Sequence, residues 1–243
     1  MPRFPLVAAV LAPALALSPA VLQADTLTLF ASGEDLGTEG FTEPRLTRDG
    51  WQLTFSRIIA TVDDVSAWQT DPPFMADGPA IAGEELAVGG PFTVDLVDAD
   101  DADRVEVATV DAPEGFFNAL SWSLVPAPEG EFAGFSLVFE GTATRDGQEV
   151  AFTLATRDAI AHACGEYVGD ERKGFVAAGQ GTDLEITLHL DHLFGRADRP
   201  ADGAMNMEAL GFDAFAAGGM QEFSLGGLHV GHVGEGHCHD MPL

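Results

Sequence analysis

Near the C-terminus the chain reads His229-Val-Gly-His232-Val-Gly-Glu235-Gly-His237-Cys238-His239, four of its seven histidines within eleven positions. Imidazole nitrogen is the commonest protein ligand for zinc, copper and nickel. A His-x-x-His and a His-x-His spacing can each put two rings on one ion, and the interleaved glycines let the backbone bend around it. If the segment is extended, His237 and His239 point to the same side, because side chains alternate along a strand. His229 and His232 converge only if the chain turns between them. Glu235 is a further ligand, or an acceptor that orients one ring.

A second group is His189-Leu190-Asp191-His192, where an alternating segment runs out before Leu193-Phe194-Gly195. Ligands at the end of a strand rest on a rigid base. His189 and His192, joined by tail histidines, satisfy the four-ligand demand of zinc or leave one position open. Asp191 serves as ligand or orienter. The expected ligands are therefore His189, His192, His229, His232, His237 and His239, about four of them at once, with His162, Asp191 and Glu235 in support. Zinc is the expected ion, and copper and nickel are the alternatives.

Cys164 and Cys238 are the only cysteines, far apart in sequence, and each lies beside a histidine. Either they form a disulfide, which an oxidising compartment favours, or they offer two thiolates to a metal. Both readings make them neighbours and draw His162 toward the tail.

Residues 1–24 read as a secretory signal peptide. Arg3 is the basic n-region, Phe4 to Leu22 is apolar, and Leu22-Gln23-Ala24 fits a cleavage site. A mature chain of residues 25–243 is then periplasmic or secreted, with no later stretch of the ~20 apolar residues needed to cross a bilayer. The formal charge is −28, and only one lysine is present. Such a surface repels nucleic acid and anionic lipid and concentrates cations. Salt adaptation gives the same acidity, so charge alone does not argue for a metal.

The positioning elements read as mostly β. Thr26 to Phe30, Trp51 to Val62, Phe92 to Leu96, Arg104 to Val110, Phe117 to Val125 and Leu184 to Leu190 carry period-2 patterning. Phe135 to Thr144 and Gln148 to Thr156 flank Arg145-Asp146-Gly147, a hairpin turn signal. Ala159 to Cys164 reads as one helical turn, and Asn206 to Ala217 as a short helix. Ala67 to Pro91 reads as a long loop. These features predict a single mainly β domain over 25–243, an antiparallel sandwich with one or two short helices and long loops.

Other motifs carry less. Asp98 to Asp103 lacks the sixth-position glycine and twelfth-position glutamate of an EF-hand loop, so it reads as a solvated turn. Met205 and Met207 read as core filler. No nucleophile elbow, His-Glu-x-x-His or phosphate loop is present. The expectation is a metal-binding, buffering or delivery protein without enzymatic activity, working beside a transporter or receptor of the cell envelope. The competing reading is a β-sandwich interaction module in which metal is structural or absent. A metal-dependent enzyme stands behind both.

Overall fold

The computed structural model describes residues 25–76 and 80–243. The signal-peptide reading of residues 1–24 lies outside the described residues. The chain is mainly β, 47% strand against 8% helix. In order the strands are β1 (Thr26–Ser32), β2 (Gln52–Gln69), β3 (Glu84–Gly89), β4 (Phe92–Asp95), β5 (Arg104–Asp111), β6 (Gly115–Phe116), β7 (Ala119–Leu124), β8 (Leu137–Arg145), β9 (Gln148–Thr156), β10 (Ile160–Cys164), β11 (Phe175–Val176), β12 (Thr182–Leu188), β13 (Gly219–Glu222), β14 (Gly231–Val233) and β15 (Gly236–Pro242). Three five-residue helices, α1 (Glu34–Thr38), α2 (Leu190–Phe194) and α3 (Ala204–Glu208), and a 3-10 turn at Asp213–Phe215 complete the elements among the described residues.

One sheet runs in the order β13-β9-β8-β2-β7-β10-β15-β14-β12-β1-β5, with β3 and β4 also paired to β2. Its ladders are antiparallel except β1 with β12 and β13 with β9. A separate two-stranded sheet joins β11 to β6. The C-terminal hairpin is the seam of the large sheet: β15 pairs with β10 on one side, and β14 pairs with β12 on the other. The histidine-rich tail is therefore sheet, not an appendage. Cys164 and Cys238 sit opposite each other in the β10–β15 register and form a disulfide.

Three local expectations change. Ala159 to Cys164 is not a helical turn but strand β10. Its alanines favour helix, yet Ile160, His162 and Cys164 repeat at period 2 and are all buried. The loop expected from Ala67 to Pro91 is shorter, because β2 runs to Gln69 and β3 takes up Glu84–Gly89. The Asp98–Asp103 segment is a turn, in which the Asp100 carboxylate accepts the N–H groups of Ala102 and Arg104. Met207 is 64% exposed and fills no core.

The core is aromatic where it supports the histidines. Leu190, Leu193 and Phe194 of α2 are buried, at the i, i+3, i+4 spacing of one helical face. Phe194 packs at 5.5 Å, ring to ring, against both Phe41 and Phe139. Burying a side chain of that size contributes roughly 1.5–3 kcal/mol, so α2 is held firmly against the sheet. His192 is left off its buried stripe.

Candidate metal centre

Strand alternation assembles the site. Leu184, Ile186 and Leu188 of β12 enter the core. Residues Thr187 and His189 therefore take the other face. In register, Thr187 lies opposite His232 of β14, and His232 lies opposite His237 of β15. Directly opposed residues share a face, so these side chains line up across three strands. His189 stands at the N-terminus of α2, its N–H bonded to the Val230 carbonyl at 2.9 Å. His192 follows in the helix.

One ring nitrogen from each of His189, His192 and His232 lies within 4.8 Å of the other two. The His189 and His232 rings stack at 3.9 Å between centroids, 9° from parallel. His192 stands edge-on to His232 at 5.1 Å. The His237 ring centroid is 4.8 Å from that of His232 and 6.5 Å from that of His192, so a fourth imidazole adjoins the triad. His232 is 1% exposed and His189 7%, while His237 is exposed.

Hydrogen bonding selects which nitrogen is free. His232 Nε2 donates to the His229 carbonyl at 3.1 Å. A carbonyl only accepts, so the proton of a neutral ring sits on Nε2 and Nδ1 carries a lone pair. That Nδ1 is buried without a partner, as is His189 Nε2. Leaving such an atom unsatisfied costs about 1–3 kcal/mol, a cost that a ligand removes. Burial, with the neighbouring His189 and His192, pushes the His232 pKa down to about 3, although the His229 carbonyl opposes this. His192 is likewise lowered, chiefly by burial. At His189 burial lowers the pKa, but Glu34, Asp191 and Glu235 together outweigh it, and the net shift is upward. At neutral pH the pocket thus holds two uncharged imidazoles beside one that favours its proton.

The lone pair of an imidazole lies in the ring plane. Two parallel stacked rings cannot both aim at one ion, so binding requires His189 or His232 to turn. Ligand nitrogens on a tetrahedral zinc stand about 3.3 Å apart, so the triad must also draw in slightly.

The other expected residues are placed differently. His229 is exposed and donates through Nδ1 to Asp240 Oδ2 at 3.1 Å. His162 is buried on the core face and donates through Nδ1 to Asp240 Oδ1 at 2.7 Å, its ring stacked 3.9 Å from Trp122. His162 and His229 are therefore bridged by one carboxylate and lie apart from the triad, and a cavity of about 620 Å³ opens beside His229 and Asp240. His239 is exposed on β15, on the same strand face as His237. Asp191 acts on the triad through its charge. Cys164 and Cys238, joined to each other, offer no thiolate. Glu235 groups with His189 and with Glu34, a residue the tail motif does not reach.

Two carboxylates that lie against these histidines thus escape the motif. Asp240 follows His239 directly, and once Cys238 opposes Cys164 the period-2 register sets Asp240 opposite His162, so pairing the cysteines would have found it. Glu34 gives no comparable sequence signal. Among the described residues no helix is long and apolar enough to cross a membrane. No family model, no curated protein and no solved structure matches this chain.

Proposed function

We propose that this protein binds a divalent transition metal through His189, His192 and His232, with His237 as the adjoining fourth imidazole. Zinc is the first choice, because three or four neutral nitrogens suit its tetrahedral preference; copper and nickel take imidazole as well. The single observation that carries the reading is the convergence of three imidazole nitrogens within 4.8 Å, with a lone-pair nitrogen of His232 buried and unpartnered. The role is binding, buffering or delivery of the ion in an oxidising compartment, beside a transporter or receptor of the cell envelope. The Cys164–Cys238 disulfide and the signal-like composition of residues 1–24 support export.

The test is elemental analysis of residues 25–243, purified without a histidine tag and incubated with zinc, copper and nickel salts near neutral pH. His192→Ala is the comparison, since the half-buried His192 can be removed with less harm to the fold than His232. More metal retained by the wild type than by the variant supports the reading. A wild type that retains none of the three ions overturns it.

A further inference from the structure

The imidazole triad leaves two acidic side chains beside His189 without a role. Glu34, His189 and Glu235 form a second triad, one ligand atom from each lying within 4.8 Å of the others, and it shares only His189 with the first. A neutral imidazole has one lone pair, so both ions are held at once only if His189 releases both ring protons and bridges them as imidazolate. Its Nε2 is buried without a hydrogen-bond partner, on a side chain only 8% exposed, and stands 3.5 Å from Glu34 Oε1. That gap exceeds the usual hydrogen bond of about 2.7–3.2 Å. It is close to the ligand-to-ligand edge of about 3.3 Å on a tetrahedral ion.

Both carboxylates are held by backbone. Glu34 opens α1 at φ +54, with its N–H bonded to Ser32 Oγ at 2.8 Å. Glu235 sits at the tip of the β14–β15 hairpin, where its N–H donates to the Val168 carbonyl at 2.8 Å. Glu235 is exposed, and the Glu34 side chain is 36% exposed. This end of the centre therefore faces solvent, whereas His232 lies beneath it.

We infer that the centre has a second cation position, between Glu34, His189 and Glu235, for a divalent ion that accepts mixed nitrogen and oxygen ligation. The inference rests on the imidazole-triad reading, because the two positions share His189. Two carboxylates balance the charge of the ion, and their oxygens suit zinc and also the harder manganese. The outer position is the more exchangeable, being open to water.

Zinc titration followed by calorimetry, with elemental analysis after gel filtration, tests this on residues 25–243. The proteins are the wild type, Glu34→Gln, Glu235→Gln and His192→Ala, with circular dichroism to verify folding. Glu34 and Glu235 are surface side chains, so their amide variants leave the core intact. The expected result is about two zinc ions on the wild type and about one on each glutamine variant. Two ions on the glutamine variants as well would place the second ion elsewhere and overturn the inference. One ion on the wild type, unaffected by the glutamine changes and lost in His192→Ala, overturns it while the imidazole triad stands. One ion lost in all three variants means a single mixed site and also overturns it. One ion lost only with the glutamates keeps the carboxylate position and overturns the imidazole triad. A wild type that holds no zinc overturns both.

Discussion

His232 is the residue whose state can be argued most fully. Its Nε2 proton is committed to a carbonyl and its pKa lies near 3, so protons do not compete for its Nδ1 in any physiological range. His189, raised above the ordinary histidine value, is where proton and metal compete. Metal affinity should therefore weaken as pH falls through the raised His189 pKa, starting above the ordinary histidine value, because the His189 proton is then retained. Calorimetry in buffers of different ionisation enthalpy reads this directly; affinity that is flat from about pH 8 to pH 5 would rule out imidazole ligation. The metal-free protein gives a second test with a definite sign. The unfolded chain protonates His232 near 6.5 and the folded one near 3, so the unfolded state binds more protons in between, and stability falls as pH drops through that window. His189 has the opposite sign: its contribution is full below the unfolded pKa and is lost as pH rises through the raised folded value. The His232 shift is the larger, so urea unfolding should show the apo protein weaker at about pH 5 than at pH 7, and His232→Gln should flatten that difference.

At the scale of elements, the β14–β15 hairpin does two tasks: it joins the two halves of the sheet and carries His232 and His237. A Cβ at Gly234 would stand 2.1 Å from the Val168 carbonyl oxygen, and Gly234 has φ +58. Gly231 is equally constrained, since a Cβ there would meet the His162 ring at 2.5 Å. The glycines that read as metal-site flexibility are thus packing requirements. Gly234→Ala should cost about 1–3 kcal/mol in urea unfolding and weaken metal binding together with it. Loss of stability without loss of affinity would separate the hairpin from the site. The disulfide supports the same hairpin: opening it releases a loop of 74 residues, worth about 4 kcal/mol in chain-entropy models. Cys164→Ser with Cys238→Ser should lower the thermal midpoint accordingly. Much of this element was readable from the chain, because alternation marks β12 and the cysteine pair predicts that the tail meets β10. The meeting of His232 with His237 was readable in principle too, from the Gly234-Glu235 turn between them. The split of the histidines into two groups was not, since only the register sends His162 to the core face and His237 to the other. Glu34 could not be found, because its approach to His189 depends on how the end of β1 sits against α2.

Across the whole molecule, two sub-sheets meet at the tail. The β12-β1-β5 side supplies His189 and, through α2, His192, whereas the hairpin that bonds to β10 supplies His232 and His237. An ion held by His189, His192 and His232 therefore clamps the seam, and metal binding and fold stability become one equilibrium. A ligand that binds only the folded state stabilises by RT ln(1 + [L]/Kd), about 2.7 kcal/mol at a hundred times Kd. Zinc at that excess should raise the thermal midpoint by roughly 5–11 °C, at about 2–4 °C per kcal/mol for a chain of this size. The rise should shrink in His192→Ala and persist in full in His239→Ala, whose exposed ring lies outside the triad. An equal rise in both variants would mean that zinc acts on the acidic surface at large, where 39 carboxylate residues face 11 basic ones. Salt separates the two effects. Screening shortens the Debye length to about 8 Å at physiological ionic strength and to 3 Å at about 1 M, so stabilisation by diffuse cations fades across that range. Direct ligation by neutral imidazoles depends on it far less. A zinc-induced shift that survives about 1 M sodium chloride in the wild type and is smaller in His192→Ala would tie the stability of the molecule to the ion at its seam.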